Sequence, residues 1–353
     1  MLARRTVLAL VLLALAGCRS IGPGTVARDR FDYSTAITES WKRQSLLNIV
    51  KLRYLDPPIY VDVGQIVASY QMEIYGSVGA DFSVESGGDS VVGRVDGRYI
   101  DRPTITYTPM TGAKFVAGLI TPMPPAAVFS AIQAGWPAET MVTVGLASIN
   151  GLSNARVGLQ GNTPADPRFL RVAALMGSLQ RDGGVSLRVI PQTTQGDGDR
   201  VALIIPFHPP SAEFDAPRAE LRALLGLDPT ASEFYLYSGG LPRNSSEITV
   251  QTRSILHVTQ MMAAHVEVPV VDVDEQRALP GATTAKPAAD GLRIRSSPER
   301  PAESFAAVNY RGQWFWIDDR DLVSKRAFSL LMLLFTMTDT SGEGRPPVLT
   351  IST

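Results

Sequence analysis

From Ile66 to Tyr75 the side chains alternate, with Ile66, Ala68, Tyr70, Met72 and Ile74 set against Val67, Ser69, Gln71, Glu73 and Tyr75. A period of two puts one set on each side of an extended chain, which suits a half-covered strand and not an amphipathic helix. Residues 104–108 alternate in the same way. Between them, Val91–Val95, Asp96-Gly97 and Arg98–Ile100 read as a hairpin, because Asp-Gly accepts the positive φ angles of a type I′ turn. Residues 59–108 are therefore expected as a β-meander.

Helical periods surround that stretch. A helix is expected from Asp32 to Leu55, stopped by Asp56-Pro57-Pro58, since the residue before a proline resists the helical region. Trp41, Lys42 and Arg43 give it mixed aromatic and basic character, and these three are candidates for binding a partner. Further helices are expected over 125–134, from Pro167 to Asp182-Gly183-Gly184, over 215–225 and from Thr252 to about Val266. Strands are expected at 185–190, 201–207, 233–237, 304–309 and 313–317, and buried strands at 330–335 and 348–352. Residues 274–290 turn to Ala, Pro, Thr and Gly without a period and read as a linker. The mixture predicts an α+β fold of antiparallel or mixed sheets with packed amphipathic helices.

At the N-terminus, Arg4 and Arg5 precede an unbroken apolar run over residues 7–16. The run is shorter than the roughly 20 residues of a membrane-spanning helix and has the make-up of a secretory signal. It ends in Leu15-Ala16-Gly17-Cys18, which resembles the lipobox of bacterial lipoproteins: a leucine, two small residues and the obligatory cysteine. The resemblance implies cleavage before Cys18 and acylation of its sulfur and its new amino group. Residues 1–17 are then a signal peptide, Cys18 the anchor and residues 18–30 a polar tether. Arg19 stands where an aspartate favours inner-membrane retention, which implies outer-membrane cargo with its body in the periplasm. Cys18 is the single cysteine among 353 residues, so an internal disulfide is excluded.

Beyond the tether, residues 31–273 read as the main domain and 291–353 as a C-terminal, strand-rich block. The stretch from Tyr310 to Phe335 resembles a block of bacterial envelope proteins to which no activity attaches. With 33 Lys+Arg against 34 Asp+Glu, the chain lacks the basic excess of an electrostatic nucleic-acid binder, and no nucleic-acid partner is expected.

Candidate chemistry is sparse. No phosphate loop, dinucleotide fingerprint or nucleophile elbow is present. His257, Met261 and His265 share one helical face, but a rise of about 1.5 Å per residue sets the two imidazoles roughly 12 Å apart. That is too far to share a metal ion, and neither a metal nor a cofactor is expected. Asp318, Asp319 and Asp321 read as the cap and first turn of a helix starting near Asp319. Trp314 and Trp316 lie on one face of an expected strand; they are candidates for stacking on a glycan, although such a pair more often fills the seam between sheet and helix. The expectation is a lipid-anchored envelope protein that binds or scaffolds, held to the membrane through Cys18 and working with an envelope protein partner. The alternative is a periplasm-facing hydrolase or wall-modifying enzyme that gathers His208, His257 or His265 from distant parts of the chain.

Overall fold

The computed structural model describes residues 21–67, 70–81, 90–156, 163–181, 183–190, 200–206, 215–279 and 292–338. Its contacts group the chain into two compact units. One holds residues up to Trp41 together with Val61–Pro109; the other holds Lys42–Tyr60 and the chain from Met110 onward to Gly344. Helix α1 (Ile21–Arg53) contributes to both. It begins earlier than Asp32, so residues 21–30 of the expected polar tether are helical. Gly22-Pro23-Gly24 falls in its first turn, where the missing proline N–H breaks no helical hydrogen bond.

In the first unit, β1 (Val61–Val67) pairs with β4 (Thr104–Pro109), and β2 (Tyr70–Asp81) pairs with β3 (Ser90–Asp101), all antiparallel. The strands nest as one long hairpin with an inner and an outer pair, not as a meander. Asp96-Gly97 does not turn: Asp96 faces Tyr75 and Gly97 faces Ile74 in the middle of β3. A turn there would join only short legs, whereas running straight through gives twelve successive pairs with β2. Cross-strand pairing outweighs the local turn preference.

The second unit is built on a six-stranded sheet of β5 (Leu146–Ile149), β6 (Leu152–Ser153), β7 (Ser186–Ile190), β8 (Arg200–Ile204), β9 (Glu233–Ser238) and β10 (Glu247–Thr252). Their order is β6-β5-β10-β9-β8-β7, antiparallel throughout except for β9 and β10, which run parallel. Parallel neighbours usually need a crossover of about a dozen residues or more. Here residues 239–246 suffice, because the two strands overlap by four pairs only. The helix expected from Thr252 to about Val266 spans only Ile255–Ala263, because Thr252 ends β10 and Ser254 caps the helix.

Helix α2 (Gly112–Phe115) runs into a π-helical turn, Val116–Ile120, followed by α3 (Pro125–Gln133) and α4 (Ala138–Gly145). Next come α5 (Pro167–Arg181), α6 (Asp215–Leu225), α7 (Ile255–Ala263), α8 (Val270–Asp274) and α9 (Leu322–Thr338). α3 lies against β7, β8, β9 and β10, while α4 packs on α5 and α5 on α6. The expected face of α5, Phe169, Val172, Ala173, Met176 and Leu179, is buried throughout.

Residues 330–335 are the central turns of α9 and not a strand. Ser324, Phe328, Leu331 and Phe335 are buried at helical spacing, and Asp321 caps the first turn by accepting from the Ser324 N–H at 3.0 Å. The strand expected at 348–352 and most of the linker expected at 274–290 lie outside the described residues. Among the described residues no helix is long and apolar enough to cross a membrane. The fold is α+β.

Candidate functional site

The C-terminal sheet is a three-stranded antiparallel unit in the order β11 (Arg295–Ser297), β13 (Gln313–Ile317), β12 (Ala306–Tyr310). β12 and β13 are joined through Arg311 and Gly312, with φ angles of 50° and 80°. Two successive positive φ values match the twist of a hairpin, and glycine accepts one of them without strain. Arg311 is held in place by Asp56, 3.3 Å away, and its guanidinium lies 5.0 Å over the Tyr54 ring. The Tyr54 hydroxyl in turn donates to Asp272 at 2.7 Å. Burial first, and then this hydrogen bond, raise the Tyr54 phenol above its ordinary range.

Alternation along β13 sends Phe315 and Ile317 into the core, both at 0% exposure. Trp314 and Trp316 take the opposite face and are half-buried, with the Trp316 Nε1 itself buried. Each indole carries an arginine. Arg295, directly across from Trp316 in β11, places its guanidinium 5.2 Å from that ring, and Arg300 sits 5.4 Å over Trp314. Arg295 also pairs with Asp318 at 3.3 Å. Asn309, across from Trp314, is exposed. The result is a half-buried ledge of two indoles and two guanidinium groups, one of them paired with Asp318, with the amphipathic chemistry that protein interfaces favour. Sequence reading found the tryptophans and missed both arginines. Arg295 becomes visible only once the β11–β13 register is known.

The other candidates separate. Lys42 lies 4.6 Å over the Phe305 ring, with its ammonium 3.4 Å from the Phe305 carbonyl, so it serves the fold. Trp41 is half-buried and Arg43 is exposed. Behind them Ser45, Leu46, Asn48, Ile49 and Val50 are buried, so this face of α1 belongs to the core. The acidic cluster is structural as well. Asp318 accepts from the Arg320 N–H at 3.0 Å, Asp319 pairs with Lys325 at 2.8 Å, and Asp321 caps α9.

His257 sits in the first turn of α7, its N–H donating to the Ser254 hydroxyl at 3.2 Å. Burial holds its imidazole below the ordinary range, and the neighbouring charges of Arg253 and Arg156 push the same way. His265 lies beyond the end of that helix with its side chain partly open; partial burial and then Arg53 lower it as well. Among the described residues no three His, Cys, Asp or Glu side chains gather as metal ligands. Cys18 and His208 lie outside the described residues.

Two features had no sequence signal. Arg253 is 1% exposed, and its guanidinium donates to the Thr143, Val144 and Ala155 carbonyls at 2.7, 3.2 and 2.5 Å. The first two belong to the C-terminal turn of α4, the negative end of that helix. Burial lowers its pKa to about 10. A cavity of about 470 Å³ beside α6 is lined by Arg218, Arg222, Asp215 and Pro206. Its arginines act as chain crosslinks: Arg218 donates to the Gly184 carbonyl at 2.7 Å and Arg222 to the Ile205 carbonyl at 2.6 Å. Compared with protein-family models, curated proteins and solved structures, the chain finds no match.

Proposed function

We propose that this chain is a lipid-anchored bacterial envelope protein that works by binding a protein partner. The anchor reading rests on Leu15-Ala16-Gly17-Cys18 after the apolar run, and Arg19 favours the outer membrane with the body in the periplasm. The observation that carries the binding role is the ledge of Trp314 and Trp316 with Arg295 and Arg300 stacked on them. Tryptophan and arginine are the residues on which interface energy concentrates.

A photo-crosslinking residue at exposed Asn309, in cells, tests this reading. One discrete protein adduct is expected, lost in Trp314→Ala/Trp316→Ala chains. Monomer alone, or an adduct to wall glycan only, overturns the protein-partner assignment. Metabolic labelling with an alkyne fatty acid tests the anchor separately: the label is expected on the natural chain and absent from Cys18→Ala.

A further inference from the structure

Among the described residues β2 and β3 pair only with each other, through twelve antiparallel pairs. A two-stranded ribbon is marginal in water unless a face is covered and its edges are paired. The register sorts this ribbon sharply. One face carries Met72, Ile74, Val78, Val91, Val95 and Tyr99, and its one charged position is Asp101, paired with Tyr70 at the ribbon's end. The other face carries Glu73, Asp81, Arg94, Asp96 and Arg98, together with Val92 and Ile100. Asp96 and Arg98 are exposed, and Tyr75, on the same face, is 63% exposed and donates to Glu73 at 3.0 Å. Three residues of the charged face, Tyr75, Asp96 and Arg98, are thus open to water.

We propose that β2 and β3 form a membrane-crossing hairpin, and that several copies of the chain join these hairpins edge to edge into a water-filled β-barrel. Length supports this. Twelve residues at about 3.4 Å each span roughly 37 Å, and a tilt near 45° reduces that to about 26 Å along the membrane normal. The apolar band of an outer-membrane barrel is about 25 Å tall. Tyr70 and Tyr99 fall near one end of the apolar face, where barrels carry aromatic girdles. The oligomer follows from the edges. In hydrocarbon every backbone N–H and C=O must be paired, so a lone hairpin is excluded and a closed ring with its charged face inward is required.

This inference does not depend on acylation, and its test removes Cys18. Full-length chains carrying Cys18→Ser and one added cysteine, Val78→Cys or Ser77→Cys, are labelled with an environment-sensitive dye and mixed with short-chain phosphatidylcholine vesicles. The dye at 78 is expected to shift to the blue and be quenched by nitroxide lipids. The dye at 77 is expected to stay accessible to iodide. Adding Ile74→Arg should abolish lipid quenching at 78, whereas Tyr75→Arg on the charged face should not; circular dichroism checks that both retain the fold. Equal responses at 77 and 78 would overturn the proposal, and so would a dry signal at 78 without vesicles, which would mean that protein covers the face.

Discussion

Asn48 holds both backbone polar groups of Ile59: its amide donates to the Ile59 carbonyl at 2.8 Å, and its side-chain oxygen accepts from the Ile59 N–H at 3.0 Å. A single side chain thus stands in for a strand partner just after Asp56-Pro57-Pro58 has ended α1. Asn48 is 1% exposed, so its own end of both bonds is sealed from water, while Ile59 is 55% exposed. Asn48→Ala leaves two backbone groups without partners and should cost about 2–4 kcal/mol in urea unfolding. Asn48→Asp should cost at least as much, because a carboxylate would face the carbonyl.

Arg253 ties the end of α4 to the Ala155 carbonyl, and its removal leaves several buried acceptors unmatched. Arg253→Met should destabilise by about 3 kcal/mol, read from thermal unfolding. Arg253→Lys should recover only part of this, since an ammonium cannot bridge three carbonyls with a planar fork.

Asp321→Ala should cost about 1 kcal/mol through the lost cap of α9. Burial pushes the Asp321 carboxyl up, but hydrogen bonds from Ser324 and the Val323 N–H outweigh it and leave the group below the usual carboxylate range. A carboxyl depressed in the folded state stabilises fully above its unfolded pKa, about 3.9. That contribution fades as the pH falls through the lower folded value. The parent and Asp321→Ala stability curves should therefore converge in strong acid.

His257 has the opposite charge and the same sign of slope. Its pKa is lowered by folding, so the unfolded chain binds the extra proton first. Stability should fall as the pH drops below about 6.5, towards the folded value. His257→Gln should flatten that part of the pH–stability profile, and the imidazole C–H signals should titrate below the ordinary range by NMR.

Much of the fold was legible where local signals and tertiary packing agree. α5 and α6 follow from periodicity, an opening proline or aspartate and a closing glycine. Asp96-Gly97 misled because a good turn dipeptide lies within a longer pairing whose register no local window contains. Residues 330–335 misled because a short apolar run has no period of its own; only the preceding Asp321 and buried Ser324 and Phe328 disclose the helix. Trp314 and Trp316 were legible as a pair. Their outward direction is set by Phe315 and Ile317 taking the core side, and their arginines arrive from a strand and loop earlier in the chain.

The parallel contact between β9 and β10 divides the six-stranded sheet into two antiparallel ribbons, β6-β5-β10 and β9-β8-β7. Parallel pairing is slightly weaker per residue, and this seam is four pairs long, against four for β8–β9 and three, with a register shift, for β5–β10. Residues 239–246 are the direct link between the two ribbons, so a circular permutant with new termini there would leave every antiparallel pair of the sheet in place.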